Sequence, residues 1–214
     1  METSIQMTRI KLINLFIKLN NYEKYLEIGV NTPNQPGYSH DSINVKIEHG
    51  VDPNVDTTYR MTSDDFFANH ISMKYDIIFI DGLHLFEQAY RDIINSLKYL
   101  NDNGVIVVHD CNPIKEITQR RERISSVWHG DVWKAILKLR MENPDLSIYT
   151  VKTDEGCAII KKGNQELFKQ INPKEDPYVF DFFKKNKKNI LNLITVKEFK
   201  QKLGVPLSWY EKLK

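Results

Sequence analysis

Short apolar runs alternate with amphipathic stretches through the middle of the chain. The run at residues 75–81 is almost wholly apolar, as is typical of a strand buried on both faces of a sheet. Residues 86–100 then place their apolar side chains on one stripe at helical spacing, and Asn103-Gly104 predicts the end of that helix. Further strand-like runs occupy residues 24–30, 43–52 and 105–108.

The alternation continues beyond this helix and predicts an α/β fold. Residues 132–141 are amphipathic, and the apolar runs at 147–151 and 157–160 flank Glu155-Gly156, which predicts a hairpin. Alternating strands and helices indicate an open, mostly parallel sheet with helices on both faces. The hairpin makes the last strand antiparallel and places it near the edge of the sheet.

Two segments flank the predicted sheet domain, which spans residues 22–163. Residues 1–21 carry apolar side chains at helical spacing, and we expect this helix to pack on the body or on a second copy of the chain rather than on a membrane. Residues 164–214 predict a basic helical extension, because the stretch from Lys174 onward contains ten lysines and five acids. Such clusters are mostly solvated helix faces, and the alternative is a patch for an anionic partner.

Composition narrows the function classes. The 214 residues include 30 Lys and Arg against 28 Asp and Glu, and this near balance argues against nucleic acid as the default partner. No apolar run approaches the ~18–20 residues that cross a bilayer, and no signal peptide is evident, so we expect a cytoplasmic protein without a membrane span. Two cysteines, Cys111 and Cys157, are interpreted as reduced structural thiols.

Polar side chains gather where the predicted strands end, and ligands of open parallel sheets bind at that edge. Asp52 follows the second run, where a carboxylate can accept hydrogen bonds from both hydroxyls of a ribose. Gly29 follows the first run and lets the backbone approach a ligand closely. The other polar residues at these ends are Glu27, Asn31, Asp81, His84, His109 and Asp110.

The glycine pattern after the first strand disfavours a dinucleotide. Only one glycine is tightly placed, so the G-x-G-x-x-G pattern that seats a pyrophosphate on a helix N-terminus is absent. The following loop, residues 31–40, contains Pro33, Pro36 and Gly37 and is predicted to be irregular. A nucleoside ligand without a phosphate fits these features better.

In order and spacing, seven short motifs within residues 22–162 resemble the class I S-adenosylmethionine-dependent methyltransferases. The resemblance is closest to the group that methylates hydroxyls of sugars and other small molecules. The motifs are YLEIGV at 25–30, GVDP at 50–53, TSDDFF at 62–67, FIDGLH at 79–84, GVIVVHD at 104–110, WHGDVWK at 128–134 and GCA at 156–158.

The resemblance implies a Rossmann-like, seven-stranded sheet with S-adenosylmethionine over its first strands. Glu27 and Gly29 would line the methionine part of this cofactor, and Asp52 would hold the ribose. Asp81 would sit between cofactor and substrate. The resemblance also places Ser63 and Asp64 near the adenine. Asn31 is predicted to bind the cofactor as well.

The activity implied is transfer of a methyl group to a hydroxyl of a sugar or glycan acceptor. Such a hydroxyl is a poor nucleophile until a base removes its proton. His84, three residues after Asp81, is the candidate base, because the ordinary pKa of histidine, about 6.5, suits neutral pH. The alternative is that His84 caps the next helix.

A divalent metal is a second implied element. In metal-dependent relatives, acids at two neighbouring strand ends hold a cation that lowers the pKa of the acceptor hydroxyl. Here these positions are Asp81 and Asp110, with His109 beside the second. A histidine in the set suits Mn²⁺ better than Mg²⁺. His109 is alternatively a second base or a substrate contact.

Residues 111–131 are rich in charge and follow the predicted site directly, so a lid over the acceptor and a plain solvated loop are both open interpretations. Trp128 is a candidate stacking wall for a sugar, and Trp133 is more typical of a core residue. Methylation of another small molecule, a nicotinamide-dependent oxidoreductase and a non-catalytic binding module are the alternative functions.

Overall fold

The computed structural model describes residues 6–33, 35, 38–170 and 172–205, and these form one seven-stranded sheet. Pro36 and Gly37 of the predicted irregular loop lie outside the described residues. The strand order is β2-β1-β3-β4-β6-β5-β7. The strands are β1 (Lys24–Ile28), β2 (Ile47–Val51), β3 (Tyr75–Ile80), β4 (Leu100–Val108), β5 (Leu146–Val151), β6 (Cys157–Lys162) and β7 (Leu193–Ile194).

Parallel pairing dominates, as the sequence predicts. Strands β2, β1, β3 and β4 pair in parallel, whereas β6 is antiparallel to both of its neighbours, β4 and β5. The predicted fold class and the antiparallel hairpin strand are therefore confirmed. The hairpin strand lies between β4 and β5, and β7 forms the outer edge by pairing in parallel with β5.

Helices cover both faces of the sheet and bury two apolar layers. One layer includes Phe16 of the first helix and Phe199 of the last, and the other includes Trp133 and Phe183. The helices are α1 (Arg9–Asn20), α2 (Ser63–Asp65), α3 (Phe86–Lys98), α4 (Trp133–Glu142), α5 (Phe180–Ile190) and α6 (Val196–Lys202).

One predicted boundary is wrong. Helix α3 ends at Lys98, and Asn103-Gly104 lies inside β4 rather than at a helix end. The pairing register between β3 and β4 shifts between Tyr75 and Ile77, so the beginning of β4 is irregular. Gly104 fits there because a Cβ would lie 2.8 Å from the Asp76 carbonyl oxygen. A glycine required by close strand contact was thus mistaken for a helix stop.

The C-terminal segment is integrated with the sheet. It contributes β7 as well as α5 and α6, and its Phe182, Phe183 and Phe199 are buried. Its described lysines are exposed, apart from Lys187 and Lys200, which are partly buried. At the other end, α1 forms where predicted, with Thr8 accepting a hydrogen bond from the Lys11 backbone N–H.

Cys111 and Cys157 are buried free thiols, and burial raises the pKa of both. Within the described part of the chain, no helix is long and apolar enough to cross a membrane.

Candidate active site

The ends of β1 and β3 approach so closely that only glycine fits at position 29. Gly29 has φ +86°, and a Cβ there would lie 2.3 Å from the Gly82 Cα and 2.4 Å from the Asp81 carbonyl oxygen. Two backbone hydrogen bonds join the ends of β2, β1 and β3. Gly29 N donates to Val51 O (2.9 Å), and Asp81 N donates to Ile28 O (2.8 Å). The predicted strand-end residues therefore share one edge of the sheet.

Three side chains converge at this edge. Asp81, His84 and Asp110 each offer one metal-ligating atom, and these atoms lie within 4.8 Å of one another. The Nε2 atom of His84 is 3.3 Å from Asp81 Oδ1, and its Nδ1 atom is 3.4 Å from Asp110 Oδ2. The Asp81 and His84 side chains are 18 % and 17 % exposed, so the cluster is largely shielded but reachable from solvent.

The ring of His84 is held by the loop that follows β4. Its Nδ1 lies 3.0 Å from the Trp128 carbonyl oxygen, which only accepts, so Nδ1 carries a proton. The Trp128 indole stacks on the imidazole at 4.9 Å between ring centroids. Nε2 consequently faces the Asp81 carboxylate, and a proton or a cation is needed between these two acceptors. These contacts differ from those of a helix cap, which was the predicted alternative for His84, and Leu85 is the N-cap residue of α3.

The charges at the cluster shift the pKa values of Asp81 and His84. Burial lowers the pKa of His84, but the hydrogen bond and charge of Asp81 and the charge of Asp110 outweigh burial and raise it. Burial raises the pKa of Asp81, but the charges and hydrogen bonds of His109 and His84 bring it well below its usual range. The charge of Asp81 and the imidazole of His84 therefore stabilise each other's charged forms.

His109 lies against both carboxylates but outside the group of three. Its Nδ1 is 3.2 Å from Asp81 Oδ1 and 3.4 Å from Asp110 Oδ2, and its Nε2 is 3.8 Å from Asp154 Oδ1. Burial lowers the pKa of His109, but these surrounding carboxylates raise it well above its usual value. This placement suits a counter-ion that positions the carboxylates better than a metal ligand, for which it was one candidate.

The backbone at Asp110 is unusual and is supported by the turn between β5 and β6. Asp110 has φ +58°, a region that non-glycine residues rarely adopt. Cys111 N donates to Gly156 O (3.0 Å), and Asn112 N donates to Glu155 O (2.9 Å). These bonds fix the chain directly after Asp110, so the unusual conformation turns its carboxylate towards His84.

Two of the predicted cofactor residues already have protein partners. Glu27 is buried and accepts hydrogen bonds from Tyr25 Oη (2.9 Å) and Ser39 Oγ (3.0 Å), and it lies 2.8 Å from His40 Nδ1. Asp52 Oδ1 accepts from the backbone N–H groups of residues 54 (2.7 Å) and 55 (3.1 Å), which forms the turn after β2. In the described residues, Glu27 thus links β1 to Ser39 and His40.

Asn31 lies exposed beyond Gly29, and its Oδ1 accepts from the Thr32 backbone N–H at 2.8 Å. It follows β1 at the same edge of the sheet as Asp81. Its position is compatible with the cofactor-binding role predicted for it.

Ser63 and Asp64 begin α2, where Thr62 caps the helix by accepting from Asp65 N at 3.1 Å. The amide Nε2 of Gln88 on α3 donates to Ser63 Oγ (3.1 Å) and lies 3.2 Å from Asp64 Oδ1. The two residues predicted near the adenine are therefore tied to α3 by one amide group.

The same amide reaches a buried carboxylate that the sequence analysis did not single out. Gln88 Nε2 lies 3.0 Å from Asp92 Oδ1, and Asp92 is only 1 % exposed. Burial raises the pKa of Asp92 to about 6, against hydrogen bonds from Ser63 and Gln88 that lower it. Asp92 is thus held in an environment that disfavours its charge.

We expect Asp92→Asn to stabilise the protein above pH 6. Because the folded-state pKa of Asp92 is raised, its contribution to stability is complete below the unfolded pKa of about 4 and is lost as the pH rises through 6. The variant should gain roughly 2 kcal/mol over the wild type at pH 8 and nothing at pH 4. Urea unfolding at both pH values measures the difference, and an equal gain at both would contradict the assignment.

The segment between Cys111 and Asp131 is irregular apart from a 3₁₀ turn at Glu116–Gln119. Asp131 anchors its end, because this buried carboxylate accepts from Phe86 N (2.7 Å) at the start of α3 and pairs with Arg121 (3.0 Å). Four large apolar side chains of the segment are exposed, and so is Leu83 after β3. The four are Ile114, Ile117, Ile124 and Val127.

Trp128 and Trp133 lie in different environments, as the sequence predicts. Trp133 is fully buried and packs on Phe183 at 4.3 Å between ring centroids, so it is a core residue. Trp128 is half-buried and stacks on His84, and its Nε1 donates to Arg120 O at 2.7 Å. Of the two rings, only Trp128 adjoins the cluster.

Sequence reasoning missed several supporting residues. His129 is completely buried, with Nε2 2.7 Å from Glu155 Oε2 and 3.9 Å from Asp110 Oδ1. Gly130 has φ +58°, and a Cβ there would lie 1.7 Å from His84 O. Both residues lie in the motif at 128–134, whose buried histidine and glycine were signals that could have been used.

Comparison with known proteins identifies part of this region. Residues 18–111 match the model of a methyltransferase domain family. This match contains β1 to β4 and ends just after Asp110. No curated protein is similar enough in sequence to count as a relative.

Solved structures share the fold at low sequence identity. A structure from Staphylococcus aureus assigned to a caffeoyl-CoA O-methyltransferase is 21 % identical, covers 72 % of this chain and 82 % of its own, and has a TM-score of 0.51. An O-methyltransferase of Bacillus cereus in complex with S-adenosylhomocysteine is 14 % identical, with 74 % and 83 % covered and a TM-score of 0.50. An O-methyltransferase of Streptomyces achromogenes involved in tomaymycin synthesis, in complex with S-adenosylmethionine, is 15 % identical, with 73 % and 80 % covered and a TM-score of 0.50.

The predicted class, an S-adenosylmethionine-dependent methyltransferase of class I, is confirmed at the level of domain and fold.

Proposed function

We propose that this methyltransferase moves the methyl group of S-adenosylmethionine to a hydroxyl oxygen of an acceptor held at Asp81, His84 and Asp110. The observation that carries the proposal is the convergence of these three side chains at the sheet edge beside Gly29. Two carboxylates and an imidazole can bind and deprotonate a hydroxyl there. The cofactor is proposed to lie over the ends of β1 and β2, with Gly29, Asn31 and Asp52 beside it.

The donor set fits a divalent cation, and a metal is part of the proposal. The ligating atoms of Asp81, His84 and Asp110 lie within 4.8 Å of one another, and Nε2 of His84 faces an acceptor oxygen. Asp81 and Asp110 would hold the cation, which leaves Nε2 of His84 free to take the proton of the acceptor. Mn²⁺ is the proposed ion, because a histidine beside the carboxylates suits it better than Mg²⁺. When bound, the cation would lower the pKa of the acceptor hydroxyl.

The chemical step needs one proton transfer and one displacement. The acceptor hydroxyl gives its proton to a base of the cluster, and its oxygen forms a bond to the methyl carbon. The carbon–sulfur bond of the sulfonium breaks, and its electron pair stays on sulfur as S-adenosylhomocysteine leaves. His84 is the proposed base, because Trp128 O fixes its ring and leaves Nε2 directed at the cluster.

A hydroxyl of a sugar or glycan is the proposed acceptor. The half-buried Trp128 ring beside His84 supports this, because sugar rings stack on exposed aromatic faces. The exposed apolar residues at positions 83 and 114–127 favour a second candidate acceptor, a small molecule with an apolar body next to its hydroxyl. An apolar molecule that carries a sugar would satisfy both features.

Thermal shift and methyl transfer test the proposal together. Saturating S-adenosylmethionine or S-adenosylhomocysteine should raise Tm by about 5–10 °C, whereas NAD should leave it unchanged. Radiolabelled methyl transfer to simple glycosides and to phenols in the presence of Mn²⁺ then separates the two acceptor candidates. No shift with either adenosyl compound would overturn the proposal, and a shift with NAD alone would favour an oxidoreductase.

A His84→Gln variant distinguishes catalysis from binding. Glutamine can still donate to Trp128 O but cannot take a proton, so transfer should fall by about 100-fold or more while the thermal shift with S-adenosylhomocysteine persists. His49→Gln, which changes a half-buried histidine of β2 away from the cluster, is the matched control. Full activity of His84→Gln would reject His84 as the base, and a non-catalytic binding module predicts no transfer by any form of the protein.

A further inference from the structure

A cleft of about 620 Å³ lies beside β7, the outer strand of the sheet, and none of its lining residues belongs to the Asp81–His84–Asp110 cluster. Its walls are the end of α4, residues 166–169, 172 and 175, α5 and the first residue of β7. Helix α4 begins two residues after Asp131, whose backbone N–H donates to His84 O, and the cleft touches the helix at Arg140, about 10 Å along the helix axis from its first residue. The cleft is therefore separate from the methyl-transfer site.

A buried positive charge lines this cleft. Arg140 is only 9 % exposed, and its Nη1 donates to Gln165 Oε1 (2.6 Å) and to Glu166 O (2.9 Å). Its Nε has no hydrogen-bond partner, and no carboxylate of the described residues lies within 4.0 Å of the guanidinium. A guanidinium stays charged in proteins, and a buried charge is costly unless an opposite charge lies near it. The charge of Glu166 acts on this guanidinium from a distance, but no carboxylate of the described residues is in direct contact with it.

The walls of the cleft add charge and apolar surface. Lys169 and Lys188 reach it from the loop and from α5, while Glu166 and Glu175 are the acids on its rim, which leaves one positive charge in excess when Arg140 is included. Phe168 and Phe182 meet edge to face at 6.5 Å between ring centroids, and both line the cleft. An anionic group and an apolar body are therefore both accommodated.

We infer that this cleft binds a small organic anion whose carboxylate or phosphate group lies near Arg140 and whose apolar or aromatic body packs on Phe168 and Phe182. The volume is within the range of about 300–1,000 Å³ that is typical of small-molecule sites, and an inorganic anion alone would not fill it. This site accounts for part of the basic surplus of the C-terminal segment, which supplies Lys188. It does not depend on the proposed acceptor or metal.

Calorimetric titration of the full chain with phenyl phosphate and with phenylacetate tests the inference, since the two probes share a ring and differ in the anionic group. At least one should bind with a Kd below about 1 mM, and benzyl alcohol, which has the ring but no charge, should not bind at that concentration. The stronger probe identifies the preferred head group. No binding of either anion, or equal binding of benzyl alcohol, would overturn the inference.

Variants locate the binding. Arg140→Gln keeps hydrogen-bond donors but removes the charge, and it should weaken the better probe at least about tenfold. Because this change also disturbs the contacts to Gln165 and Glu166, the double variant Lys169→Ala/Lys188→Ala provides a second test on exposed residues and should weaken binding by about three- to tenfold. Lys185→Ala, on the same helix but outside the cleft, should bind normally. Unchanged affinity in the double variant would place the probe elsewhere and overturn the inference.

Discussion

Asp110→Asn should reduce kcat/KM for methyl transfer by about 1000-fold while leaving the fold intact. The change removes one of two carboxylates that face His84, so both cation binding and proton removal are weakened. Asparagine has the same shape as aspartate and tolerates positive φ, so the backbone at φ +58° is preserved. The loss of activity would therefore reflect the missing charge.

Three measurements separate this interpretation from general damage. The Tm of Asp110→Asn should stay close to that of the wild type, and the thermal shift with S-adenosylhomocysteine should persist. The affinity for Mn²⁺, measured by calorimetry, should fall by about 100-fold or more. Asp102→Asn, which changes an exposed acid paired with Lys162, is the matched control and should alter none of these. An Asp110→Asn enzyme with wild-type turnover would exclude Asp110 from the reaction.

Gly29→Ala should destabilise the protein by at least about 3 kcal/mol, because an L-residue at positive φ is strained and the new Cβ would overlap the β3 end. The overlap is with backbone, at 2.3 Å from the Gly82 Cα, so no side-chain rotation relieves it. Separation of the ends of β1 and β3 would also move Asp81. We expect a fall in Tm of about 6 °C or more, together with loss of the S-adenosylhomocysteine shift.

Gly204→Ala is the control that isolates the backbone strain. Gly204 has φ +66°, but no atom of the described residues lies within 4 Å of the position of its Cβ. This variant should lose only about 1–2 kcal/mol. Equal losses of stability in the two variants would show that overlap with Gly82 adds nothing to the cost of positive φ at position 29.

The strand ends were the part of the site that the sequence predicted well. Parallel strands end at one edge, so Asp81 and Asp110 could be placed together from the positions of two apolar runs. The geometry of His84 could not be predicted, because it depends on Trp128 O, which is 44 residues away in the sequence. The role of His109 was left open for a similar reason, since its contact with Asp154 comes from the turn before β6.

The wrong helix end at Asn103-Gly104 and the unpredicted strand β7 have the same cause. Local patterns indicate whether a glycine or an apolar residue suits a turn or a helix, but not what packs against it. Gly104 is needed by contacts with Asp76 and Leu100, and Leu193 becomes a strand residue only by pairing with Thr150 on β5. Tertiary contacts of this kind override local preference.

The most direct test of the central claim is a crystal structure of the protein with S-adenosylhomocysteine and Mn²⁺, with anomalous scattering used to locate the metal. The account predicts one manganese ion bound by Asp81 and Asp110, with Nε2 of His84 beside the ion but not bound to it, the homocysteine sulfur directed at this cluster and the adenosine beyond Gly29 and Asp52. S-adenosylhomocysteine bound away from the β1 end, or manganese bound at other residues while this cluster stays empty, would contradict it.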